Sequence, residues 1–179
     1  MTRAMYPGSF DPVHVGHVDV VEAVAPLFDD VVIVAMFNPA KPGGFFELEE
    51  REALLAATFA HLPNVKTASA PGLVVNAARD LGADVIVKGI RSATDMDVEM
   101  QMAQTNKAVS GVQTMFVPAE PSNSFVSSRF VREISAMGED VSAMVPPPVS
   151  QISSRVPASL ASKSMSATKV ASRVSALLL

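Results

Sequence analysis

The sequence predicts an α/β fold, a doubly wound parallel sheet of five strands. Five short runs rich in β-branched residues read as buried strands: Ala4 to Tyr6, Val31 to Phe37, Val65 to Ala68, Asp84 to Val87 and Thr114 to Val117. Between them lie helical candidates at 17–28, 47–60, 73–81 and 92–109. Strands alternating with helices in this way pair in parallel and carry helices on both faces of the sheet. Ligands of such folds gather beyond the carboxyl ends of the strands, where the strand order reverses. The residues just after each strand are therefore the candidates for function.

Each element has its own grounds. Strand 1 closes at Tyr6, and the turn Pro7-Gly8-Ser9-Phe10 leads to a helix starting near His17, with Val20, Val21, Val24 and Leu27 at helical spacing. Strand 2, Val31 to Phe37, is the longest apolar run, far short of the about 20 residues that cross a bilayer. Leu48, Arg51, Leu54, Leu55 and Phe59 mark the next helix. Pro146-Pro147-Pro148 stops the helix before it and leads into a short final one. From about Val156 onward Ser and Ala dominate. Residues 1–158 are expected to form one domain and 159–179 a loosely ordered basic tail; a partner-binding amphipathic helix through Val170, Val174, Leu177 and Leu178 is the other reading of that tail.

Composition narrows the classes. A chain of 179 residues, 49% hydrophobic and 18% charged, suits a folded domain with a real core. It has no cysteine, so neither disulfides nor thiolate metal sites contribute. Met1 to Met5 run into a motif without a basic-then-apolar prelude, and a cytoplasmic protein with no membrane partner is expected. All 18 acidic residues fall within 1–150, beside 10 basic ones, while the remainder carries four basic residues and no acid. So acidic a body argues against nucleic acid as a partner, since phosphate backbones reward a basic face. It leaves room for a small basic pocket around one anionic ligand.

Four clusters follow strand ends. His14-Val15-Gly16-His17 spaces two imidazoles three apart at a helix start, where free N–H groups favour anions, and both rings can meet one phosphate over Gly16. A zinc pair would need a third ligand, and no pattern supplies one. Asn38-Pro39-Ala40-Lys41 puts a mobile point charge after strand 2. Lys88-Gly89-Ile90-Arg91 places two cations around a glycine after strand 4, fit for a phosphate chain. In the helix beyond, Asp95 and Glu99 stand four apart on one face. Ser127 and Ser128 open another helix, where hydroxyls cap free N–H groups that can meet phosphates.

The run Tyr-Pro-Gly-Ser-Phe-Asp-Pro-Val-His-Val-Gly-His, residues 6–17, resembles the opening signature of the HxGH nucleotidyltransferases, and more narrowly the phosphopantetheine adenylyltransferase family. Ser124-Phe125-Val126-Ser127-Ser128-Arg129-Phe130-Val131-Arg132 is similar to the second superfamily signature. The resemblance spans about residues 3–158 and implies a Rossmann-like nucleotidyltransferase fold. It implies transfer of AMP from ATP to 4′-phosphopantetheine, giving dephospho-coenzyme A and pyrophosphate, by in-line attack without a covalent intermediate. His17 would stabilise the transition state, aided by Lys41 and Arg91, with His14 supportive. Ser9, Lys41, Val74 and Lys88 would hold the acceptor, with Asn76 near Val74. Ser9, Phe10, His17, Gly89, Ile90, Arg91, Glu99, Asn123, Ser124, Phe125, Val126, Ser127, Ser128 and Arg129 would hold ATP.

The resemblance further implies Mg²⁺ accompanying the ATP with no metal site on the protein, coenzyme A as an inhibitor at the same site, and a homohexamer of two stacked trimers. Departures from the family pattern are Arg129 for a third Ser or Thr, Asn123 and Val98 where aromatics are usual, Met96 likewise, and a linker one residue longer through Pro42-Gly43-Gly44-Phe45. Arg129 either adds a phosphate contact or faces solvent. The rival readings are a relative acting on nicotinate mononucleotide or an alcohol phosphate, and a nucleotide-binding regulator without catalysis.

Overall fold

The structure, a computed structural model, describes residues 1–40 and 44–153. Lys41 and the tail 159–179 lie outside the described residues. Five parallel strands, β1 (Arg3–Gly8), β2 (Asp30–Phe37), β3 (Val65–Pro71), β4 (Val85–Ile90) and β5 (Gln113–Pro118), form one sheet in the order β3-β2-β1-β4-β5. The predicted α/β class, the five parallel strands and their positions along the chain are all found. Strand composition follows position. The inner strand β2 is buried over its first six residues, whereas the edge strands carry Lys66, Thr67 and Ser69 on β3 and Gln113 and Thr114 on β5.

Among the described residues six helices cover the sheet: α1 (Val15–Val24), α2 (Leu48–Phe59), α3 (Val74–Asp80), α4 (Ala93–Ser110), α5 (Ser128–Ala136) and α6 (Pro147–Ser153). The two-residue period of the strands splits the core in two. Ala4, Tyr6, Val31, Ile33 and Val87 face α1, α2, α5 and α6, packing with Val20, Leu54, Phe59, Val131 and Val149. Met5, Val32, Val34 and Ile86 face the other way, onto Ala77 and Ala78 of α3. The longest helix, α4, buries no residue completely and leaves Val98, Met102 and Val109 exposed along one side.

Three boundaries near the first turn differ from the sequence reading. The first helix begins at Val15, not near His17, because His14 takes the extended N-cap position (φ −137°, ψ 170°). It ends at Val24, and Ala25–Leu27 continues as a 3₁₀ turn, since Pro26 cannot donate to the helix. Strand β1 runs past Tyr6 to Gly8, where Pro7 and Gly8 pair in register with Val34 and Ala35. Its pairing with β4 covers only Ala4 and Met5. Beyond Met5 the two strands part, and a crevice opens between their carboxyl ends at the point where strand order reverses.

Candidate active site

A cleft of about 230 Å³ fills that crevice. Its walls include Gly16 and His17 from α1, Lys88, Gly89 and Arg91 from the end of β4, Glu99 from α4, and Ser127 and Ser128 at the start of α5. Segments more than a hundred residues apart in sequence thus meet around one small space, which brings together three of the four sequence-predicted clusters.

Two helices begin at the cleft. In α1 the Val15 N–H is used by the Met144 carbonyl and the His17 N–H by the His14 carbonyl, while the Gly16 N–H meets no acceptor among the described residues. In α5 the Ser127 hydroxyl caps the helix by accepting from the Phe130 N–H at 3.2 Å, and the Ser128 hydroxyl donates to the Pro12 carbonyl at 2.9 Å. These hydroxyls do the capping and docking. The N–H groups of Ser128 and Arg129 are left without acceptors among the described residues, so both helix starts offer partial positive charge to an anion.

His17 sits at the centre. Its Nδ1 accepts the His14 backbone N–H at 3.2 Å, so a proton on the neutral ring belongs on Nε2. Nε2 meets no acceptor among the described residues and is free to donate. The ring stacks on His14 (centroids 3.6 Å, 25° between planes) and takes the edge of Phe10 at 4.9 Å. Burial holds its pKa well below the ordinary histidine value, with further lowering from His14, Arg91 and Lys88. The His14 ring is lowered to about 4, by burial first and then by Arg91. Both rings are therefore neutral donors or acceptors near pH 7, not cations.

Protonation of these rings opposes folding. Each has a folded pKa below its unfolded value near 6.5, so between those values the unfolded chain binds the extra protons. Stability is full above pH 6.5 and falls as the pH drops toward 4, by up to about 1.4 kcal/mol per pH unit for each histidine. Urea midpoints measured between pH 7.5 and 4.5 should drop along that limb, and His14→Asn should flatten it.

The cations of the cleft are paired. Lys88 Nζ lies 3.2 Å from a Glu99 carboxylate oxygen, and the Arg91 guanidinium grips Asp95, with Nε at 2.9 Å from Oδ2. The face shared by Asp95 and Glu99 is thus turned to the basic residues Lys88, in β4, and Arg91, just after it. Among the described residues no three His, Asp or Glu side chains come together as a cation site, and the carboxylate in the cleft, Glu99, is engaged by Lys88.

Other expected contacts fall elsewhere. Phe10 is 1% exposed and adopts φ 45°, a left-handed backbone that seats its ring in the core between Tyr6 and His17. It lines the cleft as a wall behind the imidazole. Val126 is fully buried, and its carbonyl accepts from Arg91 Nη1 at 2.9 Å. Asn123 donates to Asp19 at 2.8 Å, Ser124 donates to the Pro121 carbonyl, and Phe125 is 65% exposed. Ile90 is half-buried at the end of β4. Arg129 faces solvent, paired along its helix with Glu133 at 2.8 Å. Val74 starts α3 and packs half-buried against the second core. Ser9 opens onto a separate cavity of about 580 Å³ with Met36, Asn38, Leu48, Arg51 and Arg132.

Gly89 has a steric role that the sequence did not reveal. A Cβ there would stand 2.8 Å from Val20 Cγ2 and 3.5 Å from the Tyr6 hydroxyl, so glycine lets α1 approach β4. Gly89→Ala should cost about 1–3 kcal/mol by overpacking. Adding Val20→Ala should recover part of the loss in a thermal melt, and no recovery would mean that the clash is not the cause. Sequence reading also passed over Tyr6, a buried phenol whose pKa is raised by burial against the lowering effect of Arg91. It missed the Asp11–Arg51 pair too. Arg51 stood among apolar residues at core spacing, and a charge there calls for a buried counter-ion.

A neutral imidazole donor, paired cations and two helix starts around one space suit attack at a phosphorus atom with a phosphate leaving group. That is the chemistry of a nucleotidyltransferase on a Rossmann-like parallel sheet. Residues 5–134 match the cytidylyltransferase-like family, and the chain belongs to it. Among solved structures, a protein from Vibrio parahaemolyticus provisionally described as a nicotinate-nucleotide adenylyltransferase aligns at 20% identity with a TM-score of 0.64, over 86% of this chain and 99% of its own. A lipopolysaccharide core biosynthesis protein from Thermoplasma volcanium GSS1 aligns at 22% identity with a TM-score of 0.48, over 67% of this chain and 97% of its own. The first of these shares the fold. No described helix is long and apolar enough to cross a membrane.

Proposed function

We propose that the protein transfers AMP from ATP to 4′-phosphopantetheine. An oxygen of the acceptor phosphate attacks the α-phosphorus in line; the new P–O bond forms as the bond to the bridging oxygen breaks, and pyrophosphate leaves with that electron pair. The observation that carries this reading is the neutral His17 ring, buried in the cleft with its Nε2–H unspent among the described residues. A fixed donor of that kind is worth most where negative charge grows during reaction. Lys88, Arg91 and the free N–H groups of Gly16, Ser128 and Arg129 would hold the phosphates, and Lys41 the acceptor phosphate. Mg²⁺ would arrive on the ATP phosphates.

Two features support an acceptor with a long, partly apolar arm. Leu73, before α3, and Val98 and Met102 of α4 leave apolar side chains exposed on neighbouring helices. The sequence around Lys41 and at 88–107 resembles the pantetheine family and favours that acceptor. Assembly as a homohexamer and competition by coenzyme A in the cleft belong to the same proposal. Pyrophosphate release should be measured with ATP or CTP against 4′-phosphopantetheine, nicotinate mononucleotide and an alcohol phosphate. Turnover with ATP and 4′-phosphopantetheine is expected; turnover only with another acceptor would replace the substrate, and none with any pair would remove the enzyme reading.

A further inference from the structure

We propose that Asp95 is a positioning residue that sets the reactive orientation of Arg91, an inference that rests on the nucleotidyl-transfer reading above. Asp95 Oδ2 accepts from Arg91 Nε at 2.9 Å and from the Arg91 backbone N–H at 3.3 Å, while Oδ1 accepts from Nη2 at 3.3 Å. On its other side Arg91 Nη1 donates to the Val126 carbonyl at 2.9 Å. Three of the guanidinium's five N–H groups are thereby engaged, leaving one on each terminal nitrogen for a ligand. The guanidinium plane is held at both ends, by α4 and by the segment that leads into α5.

The carboxylate acts through the arginine. Arg91 lines the cleft and Asp95 does not. The backbone of Asp95 is itself pinned, because the Ser92 hydroxyl caps α4 by accepting the Asp95 N–H at 3.1 Å. Both partners are partly exposed, 35% for Arg91 and 27% for Asp95, so the pair adds little to stability; its value is geometric. Lys88 and Glu99 differ, since both line the cleft. An arginine without its carboxylate would sample several rotamers, and a misplaced charge of about 1 Å can cost roughly a hundredfold in rate.

The test compares wild type with Asp95→Ala, Asp95→Glu, Arg91→Ala and the Arg91→Ala/Asp95→Ala double variant. Binding of inorganic pyrophosphate with Mg²⁺ is followed by calorimetry, turnover by pyrophosphate release, and folding by thermal melting. Asp95→Ala should melt close to wild type, bind pyrophosphate about tenfold more weakly and lose roughly 10- to 100-fold in kcat, with the acceptor KM unchanged. Asp95→Glu should restore part of both losses. In the Arg91→Ala background the same substitution should add nothing, because the two residues act as one unit. Unchanged or tighter pyrophosphate binding in Asp95→Ala would overturn the proposal, since Asp95 would then be idle or a competitor of the phosphate; additive losses in the double variant would do so too. A wild-type protein that binds no pyrophosphate would remove the nucleotidyl-transfer reading and this proposal with it.

Discussion

His17→Ala is expected to fold like the wild-type protein and to lose about a hundred- to thousandfold in kcat, the usual penalty for removing one preorganised donor at a developing charge. The expectation follows from the state of the ring. Its Nδ1 is taken by the His14 N–H, its Nε2–H faces no acceptor among the described residues, and burial keeps it neutral. Such a ring donates to a phosphoryl oxygen without first having to lose or gain a proton. Two readouts separate this from simple collapse of the cleft. The KM for ATP should move far less than kcat, because the donor matters most in the transition state. A titration of the rate near pH 6 belongs to the acceptor phosphate and should be kept in the alanine variant, since His17 is already neutral there. Near-normal turnover in the alanine variant would end the assignment.

Asp11→Ala should give the largest loss of stability, about 3–5 kcal/mol, or roughly 6–20 °C in Tm for a chain of this size. The Asp11 carboxylate is almost enclosed. It accepts from the Phe46 N–H at 2.8 Å and the Phe45 N–H at 2.9 Å, and lies 3.5 Å from Arg51 Nε. Arg51 is equally enclosed, with its Nε donating to the Phe46 carbonyl and Nη1 to the Ser9 carbonyl. Removing the carboxylate leaves a buried cation without its counter-charge and two N–H groups without acceptors. The Asp11 carbonyl also receives Arg132 from α5, so this residue ties the turn before His17 to both α2 and α5. Urea titration of the purified variant measures the effect. A midpoint within error of wild type would show that water or neighbouring groups replace the carboxylate.

Much of this was legible in the linear chain. Alternating β-branched and helical stretches specify a parallel sheet with helices on both faces, because buried strands and crossover helices need those local patterns. The imidazole pair, the cations around Gly89 and the serines at 127–128 could be read as phosphate-binding groups because each follows a strand or opens a helix. Their convergence required three dimensions. That Lys88 rests on Glu99 and Arg91 on Asp95, that Phe10 is a wall and not an open contact, and that Arg129 turns to Glu133 all depend on side-chain directions and on how far β1 and β4 diverge after Met5. Residue types and their order along the chain determined the fold class and the chemistry on offer. Packing alone decided which groups face the cleft and which spend their charge on one another, because burial and ion pairing depend on distances between segments that local sequence does not encode.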